Sequence, residues 1–459
     1  LNATLWWLNW FDGRSESAFA QWRGLCQGRD VNALVTAGQL INWGMPTLAA
    51  EMLNALDCQR TLPLYLQASL LPKAERGELV AKAIDVFPQF VRFPNTLEEV
   101  AALESIEECW FARHLLACFY YNKRSYNKAI TLWQRCVEMS PEFADGWRGL
   151  AIHAWNKQHD YELAARYLDN AYQLAPQDAR LLFERDLLDK LSGVTPEKRL
   201  ARLENNLEIA LKRDDMTAEL LNLWHLTSQA DKAADILATR KFHPWEGGEG
   251  KITSQFILNQ LLRAWQHLDA REPQQASELL HAALHYPENL SEGRLPGQTD
   301  NDIWFWQAIC ANAQGDQTEA MRCLRLAATG DRTINIHSYY NDQPVDYLFW
   351  QGMALRLLGE QQTAQQLFSE MKQWAKEMAK TSIEADFFAV SQPDLLSLYS
   401  DLQQQHKEKC LMVAMLAAAG LGEVAHYESA RAELMAINPA WPKAALFTTV
   451  MPFIFSYVH

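Results

Sequence analysis

Apolar residues recur along this chain in paired runs at three- and four-residue spacing, and the pairs repeat with a period of about 34 residues. This spacing places the apolar positions of each run on one face of a helix. The clearest pair reads Leu348-x-x-x-Gly352-x-x-Leu355 and then Ala364-x-x-x-Phe368-x-x-Met371. We expect the small Gly352 to let the second helix cross closely, with Phe368 filling the gap between hairpins. The pattern therefore predicts a series of helical hairpins.

The same pattern recurs in weaker form elsewhere in the chain. Pro141 and Pro176 end two successive copies one residue farther apart than the usual period, and the loop at 157–160 has room to absorb the extra residue. These hairpins resemble tetratricopeptide repeats. Because one hairpin cannot cover its own apolar face, neighbours stack, and the predicted fold class is all-α, a right-handed α-α superhelix of stacked helical hairpins. The best copies carry Trp304, Ala308, Ala311, Ala320, Leu324 and Ala327; Leu116, Ala117, Tyr120, Ala129, Trp133 and Cys136; and Trp147, Leu150, Ala151, Ala164, Leu168 and Ala171.

The chain divides into four predicted parts. These are degenerate helical repeats at 1–106, tetratricopeptide-like repeats at 107–240, further repeats with two glycine-rich loop insertions at 241–375, and a helical cap at 376–459. The apolar stretch at 444–458 contains Pro452 and is shorter than the ~20 residues that a membrane span needs. We expect this stretch to dock as a terminal segment rather than to anchor the chain.

The composition is that of an ordered protein with a large core, since 49% of the 459 residues are hydrophobic and 21% are charged. Lys and Arg total 42 against 56 Asp and Glu, a net charge of −14, and the sequence has no basic cluster interleaved with aromatics. This balance argues against nucleic acid or a membrane surface as the partner. The eight cysteines form no CxxC pair, which indicates a reducing compartment.

Few residues carry a signature of catalysis or metal binding. Glu278, His281 and His285 share one helix face, but they lack the HExxH order of a zinc site. The glycine-rich run at 247–251 does not fit the phosphate-binding loop pattern, and the sequence contains no nucleophile-elbow or dinucleotide-binding signature. We therefore predict no catalytic residue, no metal site and no cofactor.

The first glycine-rich loop, residues 242–251, is longer than an ordinary linker between repeats. Its glycines could let backbone N–H groups approach a ligand while Trp245 stacks on it and Glu246 and Glu249 accept hydrogen bonds. Lys251, at the end of the loop, completes this candidate binding set. The alternative is a stiff connector whose aromatic residues plug into the adjacent repeat while its carboxylates face water.

The second glycine-rich loop, residues 286–297, also contains two prolines. Glu288, Asn289, Glu292 and Arg294 are candidate binding residues, because the sequence suggests no capping or packing duty for them. The rival explanation is structural, with Arg294 forming an ion pair with Glu292 or with a glutamate of the first loop.

The helix after the second loop begins with residues that suit capping better than catalysis. Thr299 or Asp300 is the expected N-cap, and Asp302 suits the first turn of the helix, where a carboxylate meets the positive end of the helix dipole.

Two further sets of aromatic residues are candidates for binding. The stretch at 337–342 contains Tyr339 and Tyr340 and follows the second loop by one repeat, so the three segments could line one edge of the stacked repeats. Trp155 and Trp265 fall at repeat positions that usually face the concave groove. They are either binding platforms or contact surface for another domain.

The two loop motifs, FHPWEGGEGK and YPENLSEGRLPG, resemble the C-terminal half of the DUF5107 family, bacterial proteins of unknown function. Members of this family typically carry an N-terminal β-sandwich region, in part similar to galactose mutarotase, followed by helical repeats. The resemblance covers residues 107–371. It implies a cytoplasmic bacterial protein linked to carbohydrate metabolism. This chain departs from the family pattern because it contains no β-rich stretch, so we expect no enzymatic role from this chain alone.

Two functional hypotheses follow. The first is a tetratricopeptide-repeat scaffold that binds another protein, or docks a carbohydrate-related β-sandwich domain of the same longer protein. The second is a carbohydrate-binding or carbohydrate-active site built on the two loops, with Trp245 stacking on a sugar face and the loop glutamates bonding its hydroxyls. We favour the first.

Overall fold

The computed structural model describes residues 9–26, 30–55, 60–86, 92–335, 343–384 and 397–458. The chain forms two compact units. Unit 1 comprises Leu1–Pro176 with Gln392–Leu398, and unit 2 comprises Gln177–Ser391 with Tyr399–His459. Across the described ranges the regular elements are helices and no strand is present.

Unit 1 is built from short antiparallel helices, with a 3-10 turn at Lys73–Glu75 and a π-helical turn at Ala154–Gln158. Its helices are α1 (Ser15–Cys26), α2 (Asp30–Asn42), α3 (Pro46–Ala55), α4 (Thr61–Ser69), α5 (Gly77–Asp85), α6 (Leu97–Glu104), α7 (Trp110–Asn122), α8 (Tyr126–Met139), α9 (Ala144–His153) and α10 (Tyr161–Leu174).

Unit 2 continues the hairpin pattern, with a 3-10 turn at Glu288–Leu290 inside the second loop. Its helices are α11 (Ala179–Leu191), α12 (Pro196–Glu204), α13 (Leu207–Ala210), α14 (Asp214–Leu226), α15 (Ala230–Thr239), α16 (Lys251–Asp269), α17 (Pro273–Ala283), α18 (Asn301–Ala313), α19 (Gln317–Ala327), α20 (Tyr347–Leu357), α21 (Gln361–Met378), α22 (Leu402–Leu421), α23 (Val424–Ile437) and α24 (Ala444–Val458).

Glycines at helix crossings explain how the hairpins pack so closely. A Cβ added at Gly352 in α20, or at Gly420 in α22, would overlap the ring of Phe368 in α21. In unit 1 the same arrangement places Gly149 of α9 against the ring of Trp133 in α8. The role expected for Gly352 is therefore confirmed. The predicted all-α fold class, with stacked helical hairpins of the tetratricopeptide type, is confirmed as well.

The extra residue between Pro141 and Pro176 enters the structure as a π turn rather than as a longer loop. The turn at Ala154–Gln158 leads to His159, whose φ of 55° is left-handed. The Asp160 side chain then caps α10 by accepting the N–H of Leu163 at 2.9 Å. The π turn thus accommodates the extra residue at the C-terminal end of α9.

The C-terminal helix α24 completes the core of unit 2. Leu446, Phe447, Val450 and Ile454 are buried, and the helix packs against α14, α16 and α22. The expected docking of the apolar terminal stretch is therefore confirmed. Among the helices that the structure describes, none is long and apolar enough to cross a membrane.

Candidate functional site

The two glycine-rich loops lie against each other in unit 2. The backbone N–H of Phe242 donates to the Asn289 carbonyl at 2.8 Å, and the Ser291 hydroxyl donates to the Phe242 carbonyl at 2.6 Å. The Asn289 side-chain amide donates to the carbonyls of Leu237 and Arg240, at 2.8 and 2.7 Å. These carbonyls lie at the end of α15, where a helix leaves its last acceptors open. Asn289 therefore ties the second loop to this helix end.

Glu292 joins the second loop to the start of α16. Its Oε2 atom accepts the backbone N–H of Gly250 at 2.7 Å. Gly250 is the N-cap residue of α16 and has a φ of +75°, a left-handed conformation that favours glycine. A carboxylate at this end also interacts favourably with the helix dipole. Glu292 thus acts as a cap supplied from a distant loop.

Arg294 pairs with Asp300 and not with a loop glutamate, so the predicted partner was wrong. The guanidinium also donates to the Leu284 carbonyl at 2.8 Å. Asp300 occupies the N-cap position of α18, but within the described residues its side chain makes no capping bond, and its φ is +45°. The Thr299 hydroxyl instead donates to Asn301 Oδ1 at 2.7 Å. The ion pair with Arg294 therefore replaces the expected cap.

The second loop thus has more structural bonds than its sequence suggested. Asn289, Glu292 and Arg294 were predicted to lack a structural duty, and all three hold the loop in place. Glu288 is exposed at the start of the 3-10 turn. It does not line the cavity that opens beside the two loops in unit 2.

Trp245 packs onto its own loop. A Cβ added at Gly248 would overlap the indole ring, and the Trp245 side chain is half-buried. Trp245 and the exposed Glu246 lie outside the cavity lining, whereas Glu249 and Lys251 are exposed and belong to it. Trp245 therefore contacts its own loop, whereas the stiff-connector alternative expected it to plug into the adjacent repeat.

A cavity of about 910 Å³ opens where the two loops meet in unit 2. Known small-ligand sites span roughly 300–1,000 Å³. The first loop contributes residues 249–251, and the second contributes Tyr286, residue 293 and residues 295–297. The remaining wall comes from α14 and α16, from residues 298–299, 343–347 and 441–443, and from Lys190, Asp302, Met412 and Leu446. Its apolar lining includes Ile257, Leu258, Leu261, Met412 and Leu446.

One charged cluster on the cavity wall centres on Lys443. Its ammonium pairs with Asp346 and lies 5.4 Å from the centroid of the Tyr347 ring. Burial lowers the pKa of Lys443, but Asp346 and Asp302 outweigh this effect and raise the pKa overall. Asp302 stands in the first turn of α18, as predicted, and is 2% exposed. Burial raises its pKa to about 6, and Lys443 only partly opposes the shift.

A second charged cluster reaches the cavity through Lys190 and Glu219. Glu219 accepts bonds from Lys190 Nζ at 2.5 Å and from Arg199 Nη2 at 3.0 Å. Arg199 is fully buried and also donates to both oxygens of Asp186, at 3.0 and 2.6 Å. Burial alone would raise the pKa of Glu219, but the two cations outweigh it and lower the pKa to about 2. Since the charges on this wall are paired internally, the cavity favours neither a strongly anionic nor a strongly cationic ligand.

Asn222 of α14 lines the cavity and contacts the C-terminal segment. Its Nδ2 donates to the Ala440 carbonyl at 3.0 Å. Its Oδ1 is buried and has no hydrogen-bond partner among the described residues. The neighbouring Trp441 also lines the cavity and stacks on Phe447 at 5.6 Å between ring centroids. An unpaired buried acceptor costs about 1–3 kcal/mol.

Two of the predicted aromatic binding residues are packed or half-buried within their own units. Trp265 contacts Trp306 and Phe453, each at 5.2 Å between centroids, so the C-terminal helix of unit 2 covers it. Trp155 is half-buried in the π turn of unit 1. Tyr339 and Tyr340 lie outside the described residues.

The sequence pointed to the loops but missed much of the cavity wall. Asn222, Asp346, Trp441 and Lys443 carry no motif, and 218 residues of sequence separate Asn222 from its partner carbonyl. The one available signal was the Trp-Pro-Lys run immediately before an apolar helix.

The described cysteines are buried, and His285 contacts the backbone of His281. The seven described cysteines are free and buried. His285 Nδ1 lies 3.1 Å from the His281 carbonyl. In the part of the chain that the structure describes, no group of three or more His, Cys, Asp and Glu side chains could hold a metal ion.

Comparison with known proteins identifies repeats of one type in two segments. The profile of the tetratricopeptide repeat matches residues 114–179 and 261–332. The first segment contains α8 to α10, and the second contains α17 to α19 with the second glycine-rich loop between α17 and α18.

Among solved structures, the chain is similar to the P58(IPK) TPR domain, with 15% identity over 79% of this chain and 98% of that chain, at a TM-score of 0.25. It is also similar to Cut9–Hcn1 of the APC/C, with 12% identity over 98% and 87% of the two chains and a TM-score of 0.25. For Naa15/Naa10 bound to HypK-THB, identity is 11% over 86% of this chain and 60% of that chain, at a TM-score of 0.34. Similarity at this level carries no argument about function. The match to the repeat profile is what shows tetratricopeptide-like repeats in residues 114–179 and 261–332.

Proposed function

We propose that this protein is a helical-repeat scaffold that binds another polypeptide, and that the cavity of unit 2 is its main contact site. The observation that carries this proposal is the meeting of both glycine-rich loops at one cavity. The loops are held by specific bonds, such as Glu292 to Gly250 at 2.7 Å, and they present Glu249 and Lys251 at the cavity. Loops that are this long and this well braced are typical of binding sites on repeat scaffolds.

The partner that we propose is a carbohydrate-related β-sandwich domain, either of the same longer protein or of a separate chain. Support for this choice comes from the two loop motifs, which resemble those that follow such a domain in the DUF5107 family. We place the protein in the bacterial cytoplasm on the same ground.

Binding of a separately produced β-sandwich domain of a DUF5107 protein tests this proposal. We expect a complex by size-exclusion chromatography and calorimetry. Lys251→Glu should weaken the complex roughly 5- to 10-fold, because residue 251 lies at the cavity and its reversed charge would face the partner. Lys241→Glu makes the same change at the exposed residue just before the first loop, outside the cavity lining, and should leave affinity within about 2-fold. Absence of a complex, or equal effects of the two variants, would refute docking at this site.

The second candidate is a carbohydrate site, and the volume of the cavity favours keeping it. Trp245 points to its own loop, so Trp441 and Tyr347 would have to supply the aromatic contact. Thermal unfolding with a panel of mono- and oligosaccharides tests this candidate. A sugar at 100 times its Kd should add about 2.7 kcal/mol of stability. No shift across the panel would eliminate it.

A further inference from the structure

A buried histidine fixes the orientation of one side-chain amide on the cavity wall. His225 of α14 is 2% exposed. Asn259 Nδ2 lies 3.1 Å from Nε2 of His225 and also donates to the Ala230 carbonyl at 2.7 Å. Because a carbonyl only accepts, the atom of Asn259 that faces both groups is the amide nitrogen, so Nε2 of His225 accepts as well. The ring proton of His225 therefore lies on Nδ1.

This proton decides which end of the Gln255 side chain faces the cavity. Nδ1 of His225 lies 2.9 Å from Oε1 of Gln255, which accepts the bond. Burial lowers the pKa of His225 to about 4, although the bond to Gln255 opposes the shift, so the ring is neutral and carries a single proton near neutral pH. Gln255 therefore holds its oxygen on the histidine and turns its amide nitrogen away from it.

The amide nitrogen of Gln255 is a free donor on the cavity wall. Gln255 is 7% exposed and lines the cavity. Its only side-chain hydrogen bond among the described residues is the one through Oε1. Unlike Asn222 Oδ1, Nε2 of Gln255 is not cut off from solvent. It therefore opens onto the cavity and offers hydrogens to an acceptor there.

The cavity face of α16 changes from polar to apolar along the helix. Lys251 and Ser254, near the helix start, are exposed, whereas Leu258 and Leu261 are 4% and 3% exposed. Gln255 lies between these two pairs, and spacings of three and four residues place all five on one helix face, where they line the cavity. At 1.5 Å per residue, Gln255 lies about 9 Å before Leu261. A free donor thus stands at the outer end of an apolar strip.

The rest of the inner cavity is apolar or already paired. Met412, Trp441 and Leu446 line it together with the apolar strip. The charged groups on the wall, such as Lys443 and Glu219, have partners of opposite charge. A neutral ligand therefore fits better than an ion. A sugar would place hydroxyls against leucine side chains that cannot bond them, which is unfavourable.

We propose that the inner cavity of unit 2 binds a small, neutral, apolar molecule that carries a carbonyl group, with the carbonyl oxygen on Gln255 Nε2 and the apolar body along Leu258 and Leu261. Such a molecule satisfies the free donor and covers the apolar strip, and this combination of apolar walls with few placed polar groups is typical of small-ligand sites. The inference goes beyond the proposed function, because it assigns a ligand to the inner cavity whether or not a polypeptide binds at the loops.

The probe that we choose is Prodan, a neutral dimethylaminonaphthyl ketone whose fluorescence shifts to shorter wavelength when the molecule leaves water. We expect saturable binding to the full chain, with this shift. Dimethylaminonaphthalene keeps the two rings and lacks the ketone. It should bind about 5- to 10-fold more weakly, the effect of one lost hydrogen bond.

Gln255→Glu removes the donor and keeps an oxygen for the proton of His225. This variant should lower the affinity for Prodan about 5- to 10-fold and change that for dimethylaminonaphthalene less than about 2-fold. General damage to the cavity would instead weaken both ligands equally. Gln266→Glu makes the same change at an exposed position of α16 outside the cavity lining and should leave both affinities within about 2-fold.

Met412→Gln tests the apolar end of the site. Met412 is half-buried and lines the cavity. Both ligands carry the same rings, so this variant should weaken both about 3- to 10-fold, the effect of one or two lost methylene contacts. Leu411→Gln changes the half-buried neighbour outside the cavity lining and should leave both affinities within about 2-fold.

If thermal unfolding shows that Gln255→Glu does not fold, Gln255→Met takes its place with the same expected pattern. Three results would overturn the inference: no saturable binding of Prodan, equal losses of both ligands in the Gln255 variant, or equal effects of Met412→Gln and Leu411→Gln. A sugar that displaces Prodan would assign the cavity to the carbohydrate candidate instead. Binding of the β-sandwich domain is measured separately, so failure here leaves the proposed function standing.

Discussion

Replacing Glu292 tests whether the two glycine-rich loops are coupled through the start of α16. Glu292 Oε2 accepts the N–H of Gly250 at 2.7 Å, immediately before the helix that carries much of the cavity lining. Glu292→Ala removes both the acceptor and the charge at the positive end of the helix dipole. Glu292→Gln keeps an acceptor of similar size and removes only the charge. Glu288→Ala, at an exposed position of the same loop, is the matched control.

The expected losses of stability follow from this geometry. Loss of an N-terminal cap costs about 0.5–2 kcal/mol, and a hydrogen bond to a charged group contributes about 1.5–3 kcal/mol. Glu292 is half-buried, so we expect Glu292→Ala to lower the free energy of unfolding by about 1–2 kcal/mol. Glu292→Gln should cost about 0.3–1 kcal/mol, the share of the helix dipole interaction. Glu288→Ala should stay within about 0.5 kcal/mol.

Hydrogen exchange at the first amides of α16 measures this effect locally, so it does not require the two units to unfold together. A loss of 1–2 kcal/mol corresponds to exchange that is about 5- to 30-fold faster. The difference between Glu292→Ala and Glu292→Gln should persist in 1 M salt, because it reflects the lost acceptor. In 1 M salt the difference in exchange rate between Glu292→Gln and the wild type should shrink, because salt at this concentration screens charge interactions beyond about 3 Å.

Two results would refute this reasoning. Equal exchange in Glu292→Ala and Glu288→Ala would mean that the carboxylate does not stabilise the helix start. Equal losses in Glu292→Ala and Glu292→Gln at all salt concentrations would mean that the charge carries the whole effect and the bond to Gly250 none.

Gly352→Ala should destabilise unit 2 by about 1–2 kcal/mol, because the added Cβ would overlap the Phe368 ring. Gly24→Ala, in open space on α1, should instead stabilise the protein by about 0.5–1 kcal/mol. Urea unfolding checks both signs, and adding Phe368→Leu to Gly352→Ala should recover part of the lost stability. The pKa of Asp302 rises from 3.8 to about 6 on folding, so the folded protein retains a proton that the unfolded chain releases, and stability should fall as pH rises through this window. Asp302→Asn should remove that decline, and an unchanged pH profile of the unfolding free energy would contradict the burial argument. Arg199→Met should cost about 3–5 kcal/mol in denaturant unfolding, because it strands two carboxylates that the guanidinium now pairs; a loss below about 1 kcal/mol would mean that these carboxylates take up protons or water without difficulty.

The helical hairpins could be predicted because their signal is local. The spacing of Gly352, Ala364 and Phe368 specifies which faces are apolar and where a second helix can cross closely. The same local logic placed Asp302 in the first turn of α18 and α24 against the repeats. The partner of Arg294 could not be predicted in this way, because a left-handed turn at Asp300 decides which carboxylate meets the guanidinium.

From the sequence alone follow the all-α class, the positions of the repeats and the two loops that depart from them. These features depend on residue spacing within one or two helices, and interactions at that range repeat along the chain. The cavity depends instead on Asn222 meeting Ala440, and on Asp346 meeting Lys443, across stretches of 218 and 97 residues. Only the folded chain decides such pairings, since backbone and charged groups take whichever buried partner the packing of the helices brings within hydrogen-bond distance.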